Sequence, residues 1–196
     1  MTLIPNGVAD RPQADLEEQT VVMLQRLDEE KAADVGLRAW AASGLAGRGW
    51  RLVVAGSGVL RPALEQLAAE LGCAPSTTFA GQVADTDALL ARSSILLAPA
   101  PAEPFGLSVV EAMAHGLAVV AAGGGAHVET VGDAGVLFAP GDWEAAGRSL
   151  VELADDRDTL RRTGAALRSR QRERYSIGGH LDRLEDLYHS VVDPAD

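Results

Sequence analysis

Six short runs of β-branched or apolar residues recur along this chain, and in most of the gaps between them lies a longer segment of helical period. That alternation marks repeated βαβ units, in which each crossover lays the next strand parallel to the last, so it commits the chain to an α/β fold on a parallel sheet. Strands are expected over 20–25, 51–56, 77–80, 94–98, 118–122 and 135–139. The first helix is expected over about 30–46, with Val35, Leu37, Ala39, Trp40 and Ala41 as its buried stripe. A second runs over about 60–71, where Pro62 is tolerated because a first-turn N–H has no intrahelical partner to lose. Asp85 reads as the N-cap of a short helix ending near Arg92, and Gly116 as the left-handed stop of a helix over 106–115. Three helices then follow, over about 142–154, 157–174 and 177–192, with Asp142 and Asp156 at N-cap positions. The last carries Leu181, Leu184, Leu187, Tyr188 and Val191 as an apolar stripe that must cover something, either its own sheet or a partner domain.

At 196 residues the chain can bury about 70 % of its unfolded surface without help from disulfides or metals. A net charge of -11 repels nucleic acid, so no nucleic-acid partner is expected. The longest apolar runs, near Ile95 and Leu117, fall well short of the ~20 residues of a transmembrane helix. The lone Cys73 excludes an internal disulfide and a thiolate zinc cluster and reads as a small apolar filler. With no signal-peptide pattern over Met1 to Gly7, the expected location is the cytoplasm. Sixteen of the 17 basic residues are Arg, which singles out Lys31.

The segment Arg51-Leu-Val-Val-Ala-Gly-Ser-Gly58 runs from a strand into a glycine turn, but a dinucleotide fingerprint fails because its third glycine would fall at Arg61. Gly56 and Gly58 fit a close ligand approach and a plain tight turn equally well, as does the run Gly123-Gly124-Gly125. Asp85-Thr86-Asp87 has the D-x-D form of some sugar-transferase metal sites, yet helix capping and the helix dipole account for both acids. His115, His127, His180 and His189 show no metal or nucleophile spacing and read as surface or helix-end residues. The informative stretch is Pro99-Ala-Pro-Ala-Glu-Pro-Phe-Gly-Leu-Ser-Val-Val-Glu-Ala-Met-Ala-His-Gly116. It leaves the carboxyl end of a strand, where open α/β sheets bind ligands, and enters a helix. Glu103 and Glu111 flank the N–H groups around Phe105, Gly106 and Leu107 at that helix's start, with Gly106 permitting close approach of an anion. Two acids around an anion cradle suit a ligand with hydroxyls at both ends and phosphate between, the layout of a nucleotide sugar.

At these residues the chain resembles the retaining glycosyltransferases of GT-B architecture, glycosyltransferase family 4, whose donor-binding domain carries E-P-F-G-L-x-x-x-E-A-M-A-x-G; the match runs from Glu103 to Gly116. Ile4-Pro-Asn-Gly-Val8 resembles the family's interdomain linker, Arg26-Leu-Asp-Glu-Glu-Lys31 its phosphate-binding turn, and Val54-Ala-Gly-Ser-Gly58, Phe79-Ala-Gly-Gln-Val83 and Leu137-Phe-Ala-Pro-Gly-Asp142 follow in family order. The resemblance implies a Rossmann-like, doubly wound, six-stranded parallel sheet forming the C-terminal half of a GT-B enzyme, with extra C-terminal helices. It divides the chain into a linker over 1–19, a nucleotide-sugar-binding domain over 20–175 and a C-terminal helix over 176–196.

The resemblance assigns Glu111 to the ribose hydroxyls, Glu103 to the transferred sugar, Arg26 and Lys31 to the donor diphosphate, and backbone near Val83 to the base. It implies a UDP- or GDP-hexose substrate, no metal and no cofactor. Gln25 stands where the family has glycine, and Ala118 where proline is frequent. The family's N-terminal, acceptor-binding domain is absent from the 196 residues, so the isolated chain is expected to be inactive in transfer, with any contact with the inner face of a membrane left to that domain. A stand-alone nucleotide-sugar sensor or subunit is the alternative, and the reading frame upstream of Met1 distinguishes the two. A sugar-nucleotide epimerase or phosphorylase of the same architecture fits the E-P-F-G-L motif less well.

Overall fold

A computed structural model describes residues 3–192. The six apolar runs form β1 Thr20–Leu24, β2 Arg51–Ala55, β3 Thr77–Gly81, β4 Ile95–Ala98, β5 Ala118–Ala122 and β6 Val136–Phe138, each within a residue or so of its expected bounds. All pair in parallel in the order β3-β2-β1-β4-β5-β6, the doubly wound arrangement. Every residue of β4 and β5 is buried, which their unbroken apolar sequence requires of strands covered on both faces. Edge strand β3 alternates half-buried and exposed positions instead.

The described residues form eight α-helices, α1 Ala33–Ser43, α2 Arg61–Glu70, α3 Thr86–Ala91, α4 Leu107–His115, α5 His127–Val131, α6 Trp143–Asp155, α7 Arg157–Arg174 and α8 Ile177–Val192. The expected caps form. Asp85, Asp142 and Asp156 accept from backbone N–H groups of Ala88, Ala145 and Thr159 at 2.8–2.9 Å, and Gly116 ends α4 at φ 74°. Cys73 is buried in the core, where burial raises its thiol pKa.

Two expectations need correction. The helix expected over 30–46 is broken: a 3-10 turn, Glu29–Lys31, leads to Ala32 at φ 48°, and α1 begins only at Ala33 and stops at the left-handed Gly44. Leu37, Ala39 and Trp40 are buried as expected, joined by Ala33 and Gly36, whereas Val35 and Ala41 are half-buried. The break keeps Lys31 out of the helix and aims it along the carboxyl edge of the sheet. A left-handed alanine costs about 1–2 kcal/mol, only partly offset by the greater unfolded-state freedom of glycine. Ala32→Gly should therefore stabilise the fold by about 0.5–1 kcal/mol, read as a melting temperature roughly 1–4 °C higher. A lower melting temperature would show that the left-handed turn is not strained.

The second correction concerns α8, which has no buried residue and leaves Leu181 (56 %), Tyr188 (69 %) and Val191 (70 %) exposed. It does not cover the sheet, because α6 and α7 already pack on β5. Its start is held instead by the N-terminal segment: Val8 bridges Ser176, and the Pro5 carbonyl accepts from His180 Nδ1 at 2.7 Å. Within the expected linker, Val8, Ala14 and Leu16 are buried, and Asp10 pairs with Arg172 at 2.9 Å. Residues 1–2 of that linker and 193–196 of the expected C-terminal helix lie outside the described residues. Among the described residues no helix is long and apolar enough to cross a membrane.

Candidate functional site

In the observed strand order the chain reverses direction between β1 and β4, so the loops leaving their carboxyl ends diverge and open a crevice. Lys31 arrives from the first loop and Glu103 from the second. Their Nζ and Oε2 atoms meet at 2.6 Å although the residues are 72 apart in sequence, and the side chains are only 16 % and 17 % exposed. The two loops are thereby joined across the switch point by an ion pair largely shielded from water.

The crevice has two ends. One, of about 350 Å³, is lined by Gly56, Gln82, Val83, Thr86 and Glu111; the other, of about 430 Å³, by Lys31, Ala98, Ala100, Glu103 and His127. Leu24, Gln25, Arg26, Leu107 and Ser108 line both. A larger hollow of about 620 Å³, bordered by Glu17, Thr20, Arg51 and Arg157, lies at the amino ends of the strands. Doubly wound sheets bind ligands at the opposite edge.

The middle of the crevice faces the start of α4. Gly106, at φ 83°, turns the chain into the helix, and the N–H groups of Leu107 and Ser108 have no protein acceptor among the described residues. Orphan first-turn donors with the positive end of the helix dipole behind them make a cradle for an anion. Arg26 stands at the rim, 63 % exposed and already paired with Asp28 at 2.5 Å and with Glu30. Gln25, half-buried, donates from Nε2 to the Lys31 carbonyl at 3.0 Å and braces the turn that carries the lysine.

Glu111 projects from the outer face of α4, half-buried and without a hydrogen-bond donor among the described residues. Burial, and then the nearby negative charge of Asp87, raises its pKa. His127 is buried at 1 % exposure, its Nδ1 lies 3.1 Å from the Ala122 carbonyl, and burial lowers its pKa.

Glycines set these distances. A Cβ on Gly56 would lie 1.8 Å from the Gln25 carbonyl oxygen, and one on Gly58 2.4 Å from the Leu27 carbonyl, so the turn after β2 packs directly on the turn after β1. In the run Gly123-Gly124-Gly125, a Cβ on Gly124 would lie 1.9 Å from the Pro101 oxygen, and the Glu103 carbonyl accepts from Ala126 N–H at 2.7 Å. The run holds the Glu103 loop by backbone contact.

Of the residues singled out in the sequence, Glu103, Arg26, Lys31, Glu111, Leu107, Gly56 and Val83 line the crevice together. Gly58, Phe105 and Gly106 stand behind it: the Phe105 ring packs edge-on against Tyr175 with centroids 6.0 Å apart, and Gly106 lies against the His127 ring. Asp85 caps α3, while Asp87 pairs with Arg11 at 2.9 Å and with buried His115 at 3.1 Å, so both acids of the D-x-D triplet are engaged within the fold. His115 and His127 sit at helix ends as expected, but neither is at the surface. Sequence reasoning passed over His127, whose one signal was a polar residue just past a glycine turn at the carboxyl end of a strand.

Comparison with known proteins gives this geometry a lineage. The chain is 39 % identical over 162 residues to the D-inositol 3-phosphate glycosyltransferase of Nocardia farcinica, covering 75 % of this chain and 35 % of that protein. It is 29 % identical over 202 residues to an exopolysaccharide phosphotransferase of Streptomyces coelicolor, covering 100 % of this chain and 21 % of that protein. Among solved structures, the sucrose-phosphate synthase of Thermosynechococcus elongatus superposes with a TM-score of 0.85 at 26 % identity, over 97 % of this chain and 52 % of that one. Anabaena HepE in complex with UDP-glucose superposes at 0.82 with 22 % identity, over 89 % and 49 %, a likeness of fold. The chain thus spans about a fifth to a third of these curated relatives and about half of these solved GT-B chains. Residues 9–170 match the family described as Glycosyl transferases group 1, and the chain belongs to that family.

Proposed function

We propose that the crevice binds a nucleoside diphosphate hexose and forms the donor half of a retaining glycosyltransferase, completed by an N-terminal domain that holds the acceptor. The observation that carries this reading is the Lys31–Glu103 pair at the switch point, set beside the open N–H groups that start α4. Glu111 takes the ribose hydroxyls and backbone near Val83 and Gly56 the base; Arg26, Lys31 and the Leu107 and Ser108 N–H groups take the diphosphate, and Glu103 the hexose.

On this reading Lys31 turns from Glu103 toward the phosphates when donor binds, and the freed carboxylate accepts from sugar hydroxyls. As the glycosidic bond breaks, charge grows on the departing diphosphate, and fixed cations and helix N–H groups stabilise it most at that moment, without a metal or cofactor. The UDP-glucose complex of HepE and the greater length of the relatives support both the ligand class and the second domain.

Calorimetry with UDP, GDP, ADP and their hexose esters tests the reading; a folded chain that binds none of them ends it. Lys31→Met combined with Glu103→Gln removes the cation without stranding a buried carboxylate. This double variant should lose about 1–2 kcal/mol of diphosphate affinity, roughly five- to thirtyfold, with little change for the bare nucleoside. Added salt should shrink the difference. Arg26→Ala should cost less, since that side chain is exposed and already shared between two acids. Equal losses for diphosphate and nucleoside would assign these residues to fold stability.

A further inference from the structure

We propose that His127 is a specificity-determining residue of the donor site, its Nε2 accepting a hydrogen bond from one hydroxyl of the hexose. The inference rests on the donor-binding reading above and adds a sugar contact that the sequence motifs do not contain. A carbonyl oxygen can only accept, so the 3.1 Å contact between His127 Nδ1 and Ala122 fixes the ring proton on Nδ1. In the neutral ring Nε2 is then a lone-pair acceptor. It has no protein partner among the described residues and lies on the edge of the ring turned toward Gly106, in a side chain that lines the Lys31–Glu103 end of the crevice.

Burial lowers the pKa of His127, outweighing the hydrogen bond to Ala122 and the Glu103 charge that raise it, and the Lys31 charge adds to the lowering. The ring is therefore neutral at neutral pH. A neutral acceptor gives nothing to a phosphate oxygen, which also only accepts, but it satisfies a hydroxyl. This sets the polarity of the ligand along the crevice: hydroxyls of the sugar beside His127 and Glu103, phosphate over the start of α4, nucleoside toward Glu111. The position is also rigid, since a Cβ on Gly106 would stand 3.2 Å from the ring and Ala122 holds the opposite edge. A fixed acceptor discriminates between epimers and deoxy sugars better than a mobile one, because a missing or inverted hydroxyl leaves it unpaired.

The test measures affinities of UDP, UDP-glucose, GDP and GDP-mannose for wild type, His127→Phe and His127→Gln. Phe keeps the ring against Gly106 and removes Nε2, and the Ala122 carbonyl keeps its 2.8 Å bond from Gly124 N–H. The expected result is a three- to tenfold fall, about the worth of one neutral hydrogen bond, in the ratio of sugar-nucleotide to nucleoside-diphosphate affinity. The diphosphate affinity itself should stay within about twofold, and His127→Gln, with an oxygen able to replace Nε2, should recover part of the ratio. A donor lacking the contacted hydroxyl should lose the same factor against wild type and nothing more against His127→Phe. Equal losses for diphosphate and sugar nucleotide would make His127 a packing residue and overturn the proposal. So would an unchanged ratio. If His127→Phe does not fold, His127→Gln and the deoxy donors still decide. A wild-type chain that binds neither the diphosphates nor their sugar esters would instead end the donor-site reading itself.

Discussion

Glu111→Ala should weaken binding of the preferred nucleoside diphosphate by about ten- to a hundredfold, equivalent to roughly 1.5–3 kcal/mol, in a protein that still folds. The carboxylate is half-buried and raised in pKa, with no donor among the described residues to compensate its lost hydration. Two vicinal ribose hydroxyls would supply two donors, and charged acceptors make the stronger class of hydrogen bond. Unchanged affinity in a folded Glu111→Ala protein removes Glu111 from the site.

The same shift makes a claim about stability. A carboxyl whose folded pKa lies above its unfolded value supports the fold fully below the unfolded value, and that support is lost as pH rises through the folded pKa. Once ionised, the desolvated Glu111 therefore works against folding. Glu111→Gln should raise the melting temperature of the ligand-free protein at pH 7, give no gain near pH 4, and still impair nucleotide binding. A residue that costs stability unliganded and supplies affinity when liganded is what a binding site needs, and no packing role predicts that pairing. A melting temperature lowered at both pH values would mark Glu111 as an ordinary structural residue.

How much of this was legible in the sequence depended on how local each signal is. Strand positions were accurate because period and turn chemistry are local, and the crevice followed because strand order fixes the switch point. Ala32 was not legible: alanine favours helix, and the turn it closes is held by Gln25 on the Lys31 carbonyl and by Lys31 on Glu103, a contact across 72 residues. His127 was missed for the same reason, since its burial comes from α4 and the Glu103 loop closing over a five-residue helix that no periodicity announces. Gly58 and Phe105 belong to motifs that border the crevice, and what the motifs do not announce is their packing: Gly58 lies on the Leu27 backbone and the Phe105 ring on Tyr175.

The largest effect expected of this chain is a separation of binding from transfer. The 196 residues alone should bind a sugar nucleotide and move almost no sugar to an acceptor. Every lining residue of the crevice comes from one crest of one sheet, which supplies cations, hydroxyl acceptors and helix N–H groups for the donor but no opposing wall. Transfer needs the acceptor hydroxyl held at near-attack distance from the anomeric carbon with water kept out, and such positioning accounts for about 7–11 kcal/mol of barrier. Incubating the chain with its best-binding donor and a panel of acceptor alcohols should give slow donor hydrolysis at most. Supplying an acceptor-binding domain, fused or in trans, should restore transfer by several orders of magnitude. Fast transfer by the 196 residues alone would overturn the half-enzyme reading, because a second wall and an acceptor site would then have to come from residues that line no part of the crevice.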